Sequence, residues 1–227
     1  LYFIKRLVLF LFPLVILLGY LEIRMRNIPT SYEAKKIFFE KSADSIEVLA
    51  LGNSHMLHGI NPHYFSVKGF NLGSGFQTFF YDKELTLKYL NHLKKLKIVF
   101  ISADYISFYY NIKEVADWID YGYCRAWGIR YPGLSRWDSR NYSMFMLYTP
   151  TNSIKYFLSG DNKGLSKNVK PDGFNPENPA DNEQSISDVS GKARATYHTK
   201  IINFKRQQES INNLEALITA LEKRNIQ

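Results

Sequence analysis

The stretch that most constrains the fold is residues 45–55, an apolar run that ends abruptly in a glycine turn. Val48–Leu51 has the length and composition of a short buried β-strand. Gly52 and Asn53 follow, and glycine permits the sharp turn by which a strand passes into a helix. Ser54 is the first reactive side chain after that turn, at the edge of a sheet where ligands bind. Gly-Asn-Ser is also an ordinary turn composition, so the pattern alone leaves a structural turn equally open.

The next fifty residues repeat the alternation of strand and helix. Residues 67–72 predict a second strand that ends at Gly73, and residues 97–102 predict a third strand with an apolar centre. Between them, residues 78–95 predict a helix with Thr78 as its N-cap. This order is typical of an α/β domain with a parallel sheet. We expect the apolar face of the helix to consist of Phe79, Leu85, Leu87, Tyr89, Leu90 and Leu93.

Apolar residues dominate the N-terminal stretch 7–21, which reaches the length of a bilayer core when residues 2–4 are added. No Ala-x-Ala-like cleavage site follows, so residues 1–26 predict an uncleaved transmembrane anchor, with a buried core helix as the alternative. Equal numbers of Lys and Arg on its two sides leave the orientation open. Residues 27–44 predict an amphipathic linker to the α/β domain.

The second half of the chain is less regular. Residues 105–160 are rich in aromatic side chains and predict an insertion with helices over 114–120 and 139–148. Its rings could face carbohydrate or pack inside the fold. Residues 160–191 predict a long polar loop. Helical periodicity returns over 193–224, and a helix there would precede a further strand of the sheet, so we expect the sequence to stop short of the full protein. The expected apolar positions of this helix are Phe204, Ile211, Leu214, Leu217, Ile218 and Leu221.

Composition excludes little. The formal net charge of +8 is spread along the chain rather than concentrated in a basic stripe, which disfavours a nucleic-acid partner. Anionic lipid, acidic polysaccharide or no partner at all would suit this charge equally well. The single cysteine, Cys124, cannot form an internal disulfide or a thiolate zinc site. His55 and His58 have the spacing of half a metal site, but no second ligand set accompanies them, so we predict neither a metal nor an organic cofactor.

The segment Leu51-Gly52-Asn53-Ser54-His55, with Asn71-Leu72-Gly73 twenty residues later, resembles the SGNH/GDSL hydrolase superfamily. It is most similar to the membrane-anchored branch that acylates or deacylates cell-envelope polysaccharides. The resemblance covers residues 45–104, and more loosely the helix over 193–224. It implies a flavodoxin-like three-layer α/β/α sandwich for residues 45–227.

The resemblance implies that Ser54 is the nucleophile and that the backbone N–H groups of Ser54 and Gly73 form an oxyanion hole. Three positions depart from the family pattern. Asn53 stands where the family has Asp, and Ser102-Ala103-Asp104-Tyr105 replaces the third block, Gly-x-Asn-Asp. The Asp-x-x-His that supplies the base is absent from this sequence. Residues expected to contribute to binding are Asn53, His55, Asn71 and Asp104.

These observations predict a single-pass membrane protein with an extracytoplasmic, periplasmic domain. Its expected activity is serine-dependent acyl transfer or ester hydrolysis on a cell-envelope or exported polysaccharide, and a membrane acyltransferase is a candidate partner. The alternative is a non-catalytic protein of the same fold that binds glycan or a partner. The missing base could lie outside this sequence; within it, the histidines are His55, His58, His63, His92 and His198.

Overall fold

The computed structural model describes residues 2–109, 118–147, 168–176 and 203–227, together with residues 191–193, 195–196 and 199. The chain forms two compact units. One comprises residues 1–31 and 132–167, and the other comprises residues 32–131 and 168–227. The helices and strands are α1 Tyr2–Arg26, α2 Ser31–Ser42, β1 Val48–Leu51, α3 Ser54–Gly59, β2 Gly69–Asn71, α4 Phe79–Tyr89, β3 Ile98–Ile101, α5 Tyr105–Tyr109, α6 Trp118–Trp127, α7 Met144–Leu147 and α8 Gln207–Glu222.

The larger unit is built on a parallel sheet of three strands in the order β2-β1-β3. Val48 pairs with Gly69 on one side and with Ile98 on the other. All four residues of β1 are buried, as expected for a central parallel strand covered on both faces. The prediction of a mixed α/β fold with a parallel sheet is therefore confirmed. The second and third strands are shorter than predicted, and β3 alternates between exposed and half-buried residues.

Backbone hydrogen bonds continue from both outer strands. The N–H of Gln227 donates to the carbonyl of Lys97 (2.8 Å), and the N–H of Val99 donates to the carbonyl of Gln227 (2.7 Å). At the opposite side of the sheet, the N–H of Asn71 donates to the carbonyl of Asp172 (2.8 Å). Asp172 and Gly173 therefore lie beside β2, and these contacts satisfy polar backbone groups that edge strands otherwise leave unpaired.

Residues 27–44 differ from the predicted linker. Helix α2 occupies most of this range, and Phe39 is fully buried in the core. Its ring makes edge-to-face contacts with Phe70 of β2, Tyr89 of α4 and Trp127 of α6, at centroid distances of 5.1–6.1 Å. The amphipathic pattern recognised in the sequence is thus the pattern of a core helix, because its apolar side is buried against the sheet and its neighbours.

Helices α4 and α8 pack against each other, but their buried positions differ from those predicted. Helix α4 ends at Tyr89 rather than at residue 95, and Leu87 is exposed, whereas Tyr81 and Asp82 are buried. Helix α8 begins only at Gln207. Of its predicted apolar positions, Leu217 and Leu221 are buried, whereas Phe204 lies before the helix and is 73% exposed.

The aromatic side chains of the predicted insertion divide between core and surface. Trp127 is buried, whereas Trp118 and Tyr105 are about half exposed. In place of the predicted helix over 139–148, the chain forms a 3-10 turn at Ser139–Asn141 and the short helix α7. The predicted helix over 114–120 overlaps the described residues only in α6, and most of the predicted loop 160–191 lies outside them.

The smaller unit contains α1, whose apolar side chains are exposed along nearly its whole length. Within the described part of the chain, α1 is the one helix long and apolar enough to cross a membrane. At its C-terminal end, Met25 is buried and the helix contacts α7.

Candidate active site

Ser54 is the first residue of α3 and follows the central strand β1 after only two residues. Gly52 makes the turn with a φ of +135°, a conformation that side-chain-bearing residues rarely adopt. A Cβ on Gly52 would lie 2.4 Å from the Cβ of Ser102, so glycine is also required by space. Ser54 is half-buried. Neither its hydroxyl nor its backbone N–H is hydrogen-bonded to another described residue.

Asn53 is the N-cap of α3, and its side chain links both ends of the site. Its Oδ1 accepts a hydrogen bond from the N–H of His55 (2.9 Å), which satisfies one of the free donors of the helix start. Its Nδ2 donates to both carboxylate oxygens of Asp104, at 3.0 and 2.9 Å, and lies 3.2 Å from the hydroxyl of Ser107. An aspartate at this position could not make these contacts, because a carboxylate has no N–H to donate to Asp104.

Asp104 follows β3, and its carboxylate accepts hydrogen bonds from several neighbouring residues. Besides Asn53, it accepts hydrogen bonds from the N–H of Ser107 (2.9 Å) and the hydroxyl of Ser102 (3.2 Å). Burial acts to raise the pKa of the Asp104 carboxyl, but the hydrogen bonds from Asn53, Ser107 and His55 outweigh it and hold that pKa below its usual range. Asp104 is therefore a carboxylate at neutral pH.

His55 completes this cluster. Its Nδ1 lies 2.7 Å from Oδ2 of Asp104, and its side chain is 61% exposed. A carboxylate partner requires the proton on Nδ1, which leaves the lone pair on Nε2 free to accept a proton from a reacting group. This is the arrangement of a general base oriented by an acid. The exposure of His55 makes Nε2 accessible, and Ser54 is its neighbour in the chain.

Asn71 and Gly73 lie where the sequence predicted them, at the end of β2. Nδ2 of Asn71 donates to the carbonyls of Met56 (2.8 Å) and Ile60 (2.6 Å), which ties α3 to β2. Its Oδ1 accepts the N–H of Gly73 (2.8 Å). A Cβ on Gly73 would lie 2.9 Å from the backbone nitrogen of Leu57, so the glycine permits the close approach of this loop to α3. The predicted oxyanion donor is thus adjacent to the site, but its N–H is engaged within the protein.

Lys35 is a buried residue beneath the site that the sequence analysis did not identify. Its Nζ donates to the carbonyl of Asn71 (3.1 Å) and to the carbonyl of Gly73. Burial lowers the pKa of the Lys35 ammonium to about 7, although the charge of Asp172 acts to raise it. Its spacing in the sequence could have indicated its burial, because Tyr32, Lys35 and Phe39 lie on one face of α2.

Asp82 is a second buried charged residue that was missed, and it contacts the turn before Ser54. It accepts a hydrogen bond from Nε2 of Gln77, whose Oε1 accepts one from the hydroxyl of Tyr123. Burial raises the pKa of the Asp82 carboxyl to about 7, while hydrogen bonds from Gln77 and from the backbone of Gly52 act to lower it. The signal was again position, because Asp82 shares the buried face of α4 with Phe79 and Leu85.

The two histidines with metal-like spacing face different partners. Nδ1 of His58 lies 2.7 Å from the carbonyl oxygen of Asn175, whereas His55 faces Asp104. No cluster of three or more metal-ligating side chains occurs among the residues that the structure describes. Cys124 is a free, half-buried thiol on α6. His63 is exposed, and His198 lies outside the described residues.

Comparisons with protein families, with curated proteins and with solved structures found no match.

Proposed function

We propose that this protein is a membrane-anchored serine acyltransferase or esterase of the SGNH type, with the three-layer α/β/α sandwich of that superfamily and Ser54 as nucleophile. One observation carries the proposal: Ser54 lies at the carboxyl end of the central parallel strand, and the ring of the next residue in the chain, His55, lies 2.7 Å from the carboxylate of Asp104. Ligands of parallel sheets bind at this end of the strands, and the pairing of His55 with Asp104 supplies a base there.

The chemistry would run in two steps. Oγ of Ser54 attacks the carbonyl carbon of an acyl ester while its proton passes to Nε2 of His55, and Asp104 stabilises the resulting imidazolium. The tetrahedral intermediate collapses to an acyl-Ser54, and the imidazolium returns the proton to the departing alcohol. Water or a sugar hydroxyl then attacks the acyl group, and Ser54 regains its proton. The backbone N–H of Ser54 would stabilise the oxyanion.

The substrate class follows from the resemblance and from the anchor. A catalytic domain tethered by α1 would work next to the membrane, and we propose that it faces the periplasm, where exported or cell-envelope polysaccharide passes. The acyl donor could come from a membrane acyltransferase. The positive net charge of +8 is compatible with an acidic polymer.

The decisive experiment compares Ser54→Ala with the matched control Ser66→Ala, which alters an exposed serine of the same unit. The full-length chain in lipid nanodiscs is assayed for hydrolysis of p-nitrophenyl acetate and for labelling by a fluorophosphonate probe. We expect Ser54→Ala to abolish labelling and to lower the hydrolysis rate about 100-fold or more, while Ser66→Ala retains both. Retention of wild-type hydrolysis by Ser54→Ala would disprove the assignment of the nucleophile.

A second candidate function, non-catalytic binding of glycan or of a partner protein, is favoured by the N–H of Gly73. Because this N–H already donates to Asn71, it does not point at a reacting oxygen in the present structure. A binder would show no fluorophosphonate labelling at Ser54, yet would retain saturable binding of the polysaccharide in the Ser54→Ala variant. An enzyme would be labelled.

A further inference from the structure

The C-terminal end of α1 is joined to residues 134–147 by specific polar contacts within the smaller unit. The carboxylate of Glu22 accepts hydrogen bonds from the hydroxyl of Ser143 (2.8 Å) and from the N–H of Met144 (2.9 Å). The guanidinium of Arg26 binds the same carboxylate (2.7 Å) and also the carbonyl of Tyr142. Residues 134–147, here called the collar, are thus held beside the last turn of α1.

Because the collar is bound to Glu22, the depth of Glu22 in a bilayer would also set the depth of the collar. The part of α1 without charged residues is Leu7–Leu21, which is roughly 22 Å long at 1.5 Å per residue. Residues 2–4, which precede Lys5 and Arg6, extend the apolar stretch to roughly 30 Å, the thickness of the hydrocarbon core. Glu22 is the first charged residue after it. If α1 spans the membrane, Glu22 and the collar bound to it lie at the level of the lipid headgroups.

The exposed side chains of the collar are of the types that are common at the depth of the lipid headgroups. Trp137 is 93% exposed and Tyr142 is 61% exposed, and neither ring is in contact with another aromatic ring of the described residues. Tryptophan and tyrosine concentrate at membrane–water interfaces, because their rings have an apolar body and a polar edge. Arg24 and Arg136 are exposed nearby in the same unit, without a hydrogen bond to another described side chain, and suit anionic headgroups.

We propose that the collar is a membrane-interface element whose partner is the lipid headgroup layer, with Trp137 inserted at the boundary between headgroups and acyl chains. The inference rests on α1 spanning the bilayer and is independent of any catalytic role of Ser54. It gives the anchor a second point of attachment, so that the membrane contact involves residues more than a hundred positions apart in the sequence.

Depth-dependent quenching of tryptophan emission tests the proposal. The full-length chain and its Trp137→Phe variant are reconstituted into vesicles of three parts phosphatidylcholine to one part phosphatidylglycerol. The phosphatidylcholine is brominated either near the headgroup or near the end of the acyl chain. The difference in emission between the full-length chain and the variant is that of Trp137, because Trp118 and Trp127 are present in both. We expect shallow bromine to reduce this emission about twofold and deep bromine to reduce it less.

A depth standard and an aqueous quencher make the result decisive. Phe12→Trp introduces an emitter in the middle of the apolar part of α1, and deep bromine should quench it more strongly than shallow bromine. Acrylamide in the aqueous phase should reach Trp137 only weakly. If acrylamide quenches Trp137 fully and neither brominated lipid does, the collar does not contact the bilayer and the proposal is wrong. If the Phe12→Trp emitter is likewise not quenched by lipid, α1 does not span and the proposal also fails.

Discussion

Lys35→Met is predicted to change how stability depends on pH. The ammonium of Lys35 is buried, and its pKa in the folded protein is about 7, compared with 10.5 for an exposed lysine. Between these values the unfolded chain holds the proton while the folded protein has released it. Unfolding therefore takes up a proton in this range, and raising the pH stabilises the folded state. Below pH 7 both states are protonated, and the destabilisation is constant.

The magnitude follows from one pKa unit corresponding to about 1.4 kcal/mol. Between pH 7 and pH 9, Lys35 alone should raise the free energy of unfolding by about 2 kcal/mol, because the folded state is only half deprotonated at the start of the interval. Methionine has a similar length and does not titrate, so this contribution disappears. At pH 7 the gain from removing a buried charge opposes the loss of donors for Asn71 and Gly73, about 1–3 kcal/mol for each carbonyl. The diagnostic quantity is thus the slope with pH.

Urea unfolding of the full-length chain in detergent micelles, followed by tryptophan fluorescence, to which the buried Trp127 contributes, measures this slope at pH 7, 8 and 9. The control is Lys41→Met, which removes an exposed lysine of the same helix and should keep the wild-type slope. Comparing the two variants with wild type cancels the contributions of all other groups. If Lys35→Met retains the full wild-type slope, Lys35 does not titrate in this interval and the reasoning about its burial is refuted.

Two further substitutions test the contacts that build the site. Asn53→Asp places a second carboxylate against Asp104 and should lower the free energy of unfolding at pH 7 by about 3 kcal/mol. The double variant Asn53→Asp, Asp104→Asn should recover most of this lost stability in the same urea titration. Gly173→Ala should cost about 2 kcal/mol or more and speed amide hydrogen exchange at Asn71, because Gly173 has a φ of +80° and a Cβ there would lie 2.1 Å from the carbonyl oxygen of Asn71. Gly59→Ala, where a Cβ meets no atom within 4 Å, should change stability by less than about 0.5 kcal/mol.

The central strand and the turn after it could be predicted because a single local pattern determines both. Val48–Leu51 is apolar throughout, since a central parallel strand is buried on both faces, and Gly52 marks the turn. The positions of Asn53, Asn71 and Gly73 around this turn followed from the parallel topology. Such patterns are local in sequence, so the strand and the turn can be predicted without knowing which residues they contact.

The residues that were missed share a different property: their role depends on contacts distant in sequence. Lys35 lay in a segment interpreted as a linker, and only its hydrogen bonds to β2 and the loop after it reveal α2 as part of the core. His55 was predicted to contribute to binding, but nothing local in the sequence distinguished it from the other histidines as a candidate base. Its pairing with Asp104, forty-nine residues further on, depends on β1 and β3 being adjacent. Periodicity alone could not supply these pairings.

The N–H of Gly73 is where the two functional hypotheses diverge physically. To stabilise an oxyanion, this N–H must break its hydrogen bond to Oδ1 of Asn71 and donate to the substrate oxygen instead. The side-chain amide of Asn71 cannot simply rotate away, because its Nδ2 is held by the carbonyls of Met56 and Ile60. The carbonyl of Gly73 is in turn bound by Lys35. Catalysis therefore requires one of two things. Either the Gly73 peptide rotates and breaks its hydrogen bonds to Asn71 and Lys35, or the N–H of Ser54 stabilises the oxyanion without the N–H of Gly73. Loss of one such donor typically lowers the rate about 100- to 1000-fold. If the protein is an acyltransferase or esterase, we therefore expect a slow reaction that depends mainly on Ser54, His55 and Asp104.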